Sequence, residues 1–348
     1  MQRSNLRVGK MLQIDDVLSA VPGEVLEHLT FEPSTVDLAE CFVSPSKSDE
    51  DDADTVDIEE QANWTQVQRI ASSYPADTQI VAIDSTSFKL GQLPEGLVGA
   101  IRTSVVIRPA GEVNRHLQLY GPYLFPLTNQ NKDAFYTRLY EVVHKKQPPD
   151  RAPDLTRILD RIRALIERAI QIKVMRAYKN SLVLLDGSLI ASSVGDPRST
   201  VQRLVDEAAL NQNSVVAVSK STRLTLQNSK RSITSLLDNS TGPCYVGGIK
   251  EHIIQQTDKY LGNIYVARLA SLGHIFRIDI PLKTSVPHSD IFAQIAGLAG
   301  EHGYPEELRL AHMTCVLSCI EILELQAAAM QLFGLTMEEN LRQELFYL

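Results

Sequence analysis

The chain has 348 residues, of which 44% are hydrophobic and 22% charged, the balance of a globular protein with room for one large domain or two modest ones. No apolar run in the sequence approaches the roughly 20 residues of a membrane span. The N-terminus MQRSNLRVGKMLQIDD lacks the apolar core of an export signal, so a cytoplasmic protein with no membrane partner is expected.

The formal net charge is −8, but segment 48–60 (SDEDDADTVDIEE) alone holds eight acids and no base. Without it, bases and acids balance at 34 each, so the acidity does not argue against a local basic groove. Of the four cysteines, Cys41, Cys244, Cys315 and Cys319, no two form a C-x-x-C knuckle. Free thiols are expected, and a zinc site is not.

In chain order, residues 18–29 (LSAVPGEVLEHL) suggest a short helix, and residues 45–60 read as a solvated acidic loop. Residues 62–74 have helical spacing. TQIVAIDSTS (78–87) reads as a buried strand. Residues 97–109 and 112–121, joined by the turn PAGE, form an antiparallel hairpin or meander. Residues 132–145 are helical. After the break QPPD, residues 152–178 make a long amphipathic helix whose apolar stripe runs through Leu155, Ile158, Ile162, Leu165 and Ile166.

Strand 181–186, helix 198–211 and strand 214–221 follow, and residues 221–258 are irregular. Strands at 263–270 and 273–282 and helices from about 288 and 305 close the order. This alternation predicts an α/β fold with a mixed sheet flanked by helices. An N-terminal helical extension (1–77), a main α/β domain (78–320) and a C-terminal helical tail (321–348) are the expected divisions.

Two buried strands end alike, QIVAID at Asp84 and SLVLLD at Asp186, each followed by small residues. One such tip is ordinarily a turn cap. If the two strands are neighbours, the carboxylates meet, and a pair of close carboxylates repels unless a cation lies between them. Oxygen donors of this kind suit Mg²⁺ or Mn²⁺.

Glu167 sits at the margin of the long helix's apolar stripe. Ile170 and Gln171 lie one turn onward and Arg163 one turn back, in the weaker ion-pair orientation. His312, in GYPEELRLAH, supplies an imidazole compatible with Mn²⁺, or a structural histidine. Lys220 and Arg223 in VSKSTR, and Arg102 in the first hairpin, are candidate phosphate contacts. Tyr265 shares a strand face with Ala267 and is either a cleft or a core tyrosine. No P-loop, G-x-G-x-x-G or G-x-S-x-G motif is present, which disfavours nucleotide-cofactor and serine-hydrolase chemistry.

The ordered set IVAIDSTS, an acid on the next long helix, LVLLDGSL, VVAVSKS, FRIDIP and GYPEELRLAH resembles the NurA nuclease family over about residues 78–320. The resemblance implies a ribonuclease-H-like core and a manganese-dependent nuclease, with Mg²⁺ as the other admissible ion. It implies 5′–3′ exonuclease and single-strand endonuclease action on DNA in double-strand-break end resection. A homodimer docked on a hexameric HerA-type ATPase is implied as well.

Carried over by position, the catalytic and metal residues fall on Asp84, Glu167, Asp186 and His312. The family's functional tyrosine falls on Tyr265, with Tyr260 and Tyr245 as competitors. Ser-Thr follows Asp84 where Gly-Ser is common, and the acidic segment is not a family feature. The competing expectation is a non-catalytic DNA-binding or helicase-docking module on the same fold.

Overall fold

The computed structural model describes residues 56–58, 66–191, 196–254 and 257–335. Its spine is a nine-stranded mixed sheet. Strands β3 (Gln79–Leu93), β4 (Gly96–Arg108) and β5 (His116–Thr128) form an antiparallel meander. Strand β6 (Ser181–Asp186) lies parallel to β3 on its other side, and β7 (Ser214–Ser219) lies parallel to β6.

Helices α1 (Lys132–His144) and α2 (Leu155–Ala177) connect β5 to β6, and α3 (Arg198–Leu210) connects β6 to β7. A meander followed by two parallel strands with helical crossovers is the ribonuclease-H-like arrangement expected. The sheet continues through β11 (Ile275–Pro281), β10 (Gly262–Arg268), β9 (Cys244–Val246) and β2 (Gln68–Arg69). Helices α4 (His288–Gly297), α5 (Glu306–Cys315) and α6 (Cys319–Phe333) follow.

Central strands are covered on both faces, so their sequences read as unbroken apolar runs. Ile80, Val81, Ala82 and Ile83 are all fully buried. Val81, Ile83, Val183 and Leu185 face α1, α2 and α3. Ile80, Ala82, Leu182 and Leu184 face the opposite layer, with Ile291 and Phe292 of α4 and Leu308 and Ala311 of α5. Helix α2 is launched by Asp154, whose carboxylate accepts the backbone N–H of Thr156 and Arg157, each at 3.2 Å.

Three expectations differ from the fold. Residues 66–74 are not helical, because Gln68–Arg69 pairs with β9 at the sheet edge. Part of the acidic segment is strand β1 (Val56–Ile58), parallel to β8 (Leu224–Leu226), with Ile58 fully buried. There, three residues gain a ladder and a core position for one apolar side chain. Beyond the strand read at 78–87, β3 runs on to Leu93 and turns straight into β4.

The rest of segment 45–60 and the helix read at 18–29 lie outside the described residues. Helix α6 packs on the extended β3–β4 hairpin through Ile322, Ala329, Phe88, Leu90 and Val98. The stretch Glu306–Phe333 is long and apolar enough by composition to cross a membrane, contrary to the sequence reading. It is nonetheless two helices, broken where extended Val316 and the Ser318 capping box intervene.

Candidate active site

The ladder between β3 and β6 ends at the pair Ile83↔Leu185. The next residue on each strand is the aspartate, so Asp84 and Asp186 emerge side by side on adjacent parallel strands about 5 Å apart. Both point to the face covered by α5, since they share parity with Ala82 and Leu184. Burial first, then the Asp84 charge, pushes the Asp186 carboxyl above the usual range, against the pull of Lys220 and His312.

Helix α5 brings His312, whose Nδ1 lies 2.6 Å from Asp84 Oδ2. The helix starts from a turn that only certain residues can make. Gly303 has φ +81°, and an added Cβ would meet the Gly273 backbone at 3.1 Å. Pro305 then leads into the first turn. Ligand atoms of Asp84, His312 and Cys315 lie within 4.8 Å of one another.

Cys315 is not a hard-ion ligand, however. Burial and then the Asp84 and Glu167 charges raise its thiol well above the ordinary value, so it stays protonated. Its Sγ donates to the His312 carbonyl, 3.1 Å away.

Glu167 comes from α2 on the opposite face of the sheet. Past Ile83, β6 no longer pairs with β3, so the β3 edge is open at Asp84 and Ser85. Ser85 joins the two faces. Its backbone N–H donates to Asp84 Oδ1 at 2.7 Å, and its hydroxyl donates to Glu167 Oε2. Arg163, in the weaker orientation on the sequence reading, nonetheless pairs with the acid: Nη1 reaches Glu167 Oε2 at 2.7 Å and Ser85 Oγ at 3.1 Å. Gln171 Nε2 donates to Glu167 Oε1 at 3.0 Å.

Lys220 follows β7 and donates to Asp186 Oδ2 at 2.6 Å, its ammonium 5.1 Å from the centre of the Tyr304 ring. Arg223 is half-buried one residue before β8. Arg102 is buried and paired with Glu321 of α6 at 2.6 Å, so it braces a helix and does not face solvent.

Tyr265 is not brought to the carboxylates. The register runs Asp186↔Val218↔Ile278↔Tyr265, which places it three strands away, about 14 Å at 4.8 Å per strand. It shares its face with Ala267 as expected, but its hydroxyl lies 2.6 Å from His288 Nδ1. His288 Nε2 donates in turn to the Pro281 carbonyl at 3.2 Å. Tyr245 bonds Gln68, and Tyr260 lies under the Arg277 guanidinium.

The tyrosine beside the acids is Tyr304. Its phenol is driven far up by burial and by the Asp186 and Asp84 charges, and it is buried beside Asp186 without a well-formed hydrogen bond. The signal for it lay inside the Gly-Tyr-Pro motif, eight residues before His312.

Comparison with curated proteins returns no match. Among solved structures, the NurA nuclease from Sulfolobus solfataricus is similar at 15% identity and TM-score 0.49, the alignment covering 77% of this chain and 87% of that one. A second NurA crystal structure gives 13% identity and TM-score 0.37, covering 76% and 90%. Endonuclease V from Streptomyces avermitilis gives 11% identity and TM-score 0.35, covering 78% and 99%. The decisive match is the NurA domain model over residues 78–317, more than half of the 348 residues. By that match the chain belongs to the NurA family.

Proposed function

We propose that this protein is a divalent-metal-dependent DNA nuclease that hydrolyses phosphodiester bonds at the Asp84–Asp186–His312 cleft. The observation that carries the reading is that Asp84 and Asp186, far apart in sequence, lie side by side on neighbouring strands one residue past the last β3–β6 pair, with an imidazole against one of them. Two adjacent carboxylates, one buried and one partly buried, are unfavourable by themselves and become favourable around a cation.

The donor set fits a hard ion. Asp84 and His312 offer a carboxylate oxygen and an imidazole nitrogen close together, Asp186 adds a carboxylate from the neighbouring strand, and the thiol beside them is protonated. Glu167 stands at the open β3 edge, where it would complete the set. Mn²⁺, or Mg²⁺, is the ion proposed. When bound it supplies Lewis-acid activation of water and offsets the charge of the pentavalent phosphorus transition state.

The chain's own groups do the rest. Asp84 is held within β3 by its pairing with Ser104 of β4, and Asp186 at the end of β6 by its pairing with Val218 of β7. Ser85 and Arg163 orient Glu167 toward the sheet edge. Lys220 supplies the positive charge facing the substrate phosphate, with Arg223 farther along the same segment. The Tyr304 hydroxyl remains protonated and can donate to a phosphate or leaving oxygen.

Action from 5′ ends, cleavage of single strands and a place in DNA end resection with a HerA-type ATPase belong to this proposal through the family. So does the homodimer. Exposed Met313 on α5 and Ile320, Leu323 and Leu332 on α6 provide apolar surface for such contacts.

The test is direct. Purified protein is incubated with end-labelled single- and double-stranded DNA in Mn²⁺, Mg²⁺ or EDTA, alongside Asp84→Asn and Asp186→Asn. Cleavage by the wild type with Mn²⁺, loss in EDTA and loss in both variants support the reading. A folded Asp186→Asn protein that retains full nuclease activity refutes it.

A further inference from the structure

Each candidate acid in the cleft lies against a basic side chain of the same chain. Asp84 has His312 at 2.6 Å, Glu167 has Arg163 at 2.7 Å and Asp186 has Lys220 at 2.6 Å. The three bases are not equivalent. Arg163 has a side chain only 7% exposed and is also tied to Ser85, so it is a fixed part of the wall. His312 is itself a candidate ligand.

Lys220 is different. Its side chain is 46% exposed, it lies on the loop after β7, and it ends in a compact ammonium on a flexible stem. Its charge occupies the Asp186 oxygen that a divalent ion would need, and the Tyr304 ring lies beside it.

We propose that Lys220 is an exchangeable counter-ion. It holds Asp186 while the cleft is metal-free, leaves that carboxylate when a divalent cation arrives, and then serves the substrate phosphate. The inference rests on the reading of Asp186 as a metal ligand. Its consequence is a pair of opposed effects in one variant. Removing the ammonium takes away a competitor for the metal and at the same time a contact for the DNA. A lysine that merely stabilised the loop would weaken both.

The experiment uses the full chain and Mn²⁺ alone, titrated by calorimetry into wild type, Lys220→Met, Lys220→Arg and Asp186→Asn. Lys220→Met is expected to bind Mn²⁺ about 10-fold tighter, since a like charge has left the site, and Lys220→Arg to stay within about 3-fold of wild type. At saturating Mn²⁺, Lys220→Met is expected to show KM for DNA raised about 10-fold, with kcat changed less.

A Lys220→Met protein that binds Mn²⁺ no tighter, while Asp186→Asn binds it weakly, overturns the exchange and leaves the metal site standing. Unchanged Mn²⁺ affinity in Asp186→Asn overturns the ligand assignment, and the exchange with it. Circular dichroism of each variant confirms the fold, which a half-exposed side chain does not govern.

Discussion

Glu307 offers the sharpest test of how α5 is held over the cleft. Its side chain is fully buried, and its Oε1 accepts Arg115 Nε at 3.2 Å and Nη2 at 3.0 Å. Arg108 Nε lies 3.9 Å away, on a guanidinium only 1% exposed. Arg108 has one other anchor, Nη2 to the Pro75 carbonyl at 2.8 Å, and stacks on Tyr74. Replacing Glu307 by alanine therefore strands the Arg108 charge, whereas Arg115, 37% exposed, can rehydrate.

At 3.9 Å and an effective dielectric constant of about 20, the lost attraction is about 4 kcal/mol. Breaking a buried pair costs about 3–5 kcal/mol, so about 3 kcal/mol is expected once Arg108 keeps its carbonyl and ring contacts. In urea unfolding followed by circular dichroism, with an m-value of about 3 kcal/mol/M, this shifts the midpoint down by about 1 M. The double variant Arg108→Met/Glu307→Met removes both charges and should be more stable than Glu307→Ala. A Glu307→Ala midpoint within about 0.2 M of wild type, a shift of well under 1 kcal/mol at that slope, would refute the reasoning.

Tyr304→Phe should leave the fold intact and lower Mn²⁺-dependent cleavage by about 10- to 100-fold. Tyr265→Phe should stay within about 2-fold, because its hydroxyl is held by His288 three strands away; the reverse ranking would restore Tyr265 to the site. The carboxyl of Glu321 is lowered to about 2, chiefly by its hydrogen bond to Arg102, then by the Ser318 backbone. A depressed carboxyl contributes stability above its unfolded value, near 4.5, and loses it as pH falls toward 2. With the side chain 39% exposed, screening leaves about 1 kcal/mol. The difference in Tm between wild type and Glu321→Gln should then shrink between pH 4.5 and 2; a constant difference contradicts the pairing. Under native alkylation with peptide mapping, exposed Cys319 should react and Cys315 should not, its thiol being buried and held protonated; labelling at Cys315 would show that the α5 face opens.

Several features were legible in the residues alone. QIVAID and SLVLLD are unbroken apolar runs because both faces of a central strand are buried. The apolar stripe of α2 marked the long helix, and the strand–helix order implied the α/β class. Other features were hidden. The acid run 48–60 looked uniformly solvated, yet Ile58 in its midst is core. Glu306 and Glu307 are adjacent acids in the first turn of α5, and the sequence alone does not tell them apart, but Glu307 is fully buried and Glu306 pairs with Arg309 at the surface.

Arg102 read as a phosphate contact until α6 supplied Glu321. Tyr265 had the right strand and the right face but the wrong place along the sheet, while Tyr304 went unread inside a quoted motif. Periodicity along a chain records which side of an element is covered. It carries no information about which strand lies alongside, or in what register. The parallel pairing of β3 with β6, about a hundred residues apart, comes from burying both apolar faces together, and that packing alone makes neighbours of Asp84 and Asp186.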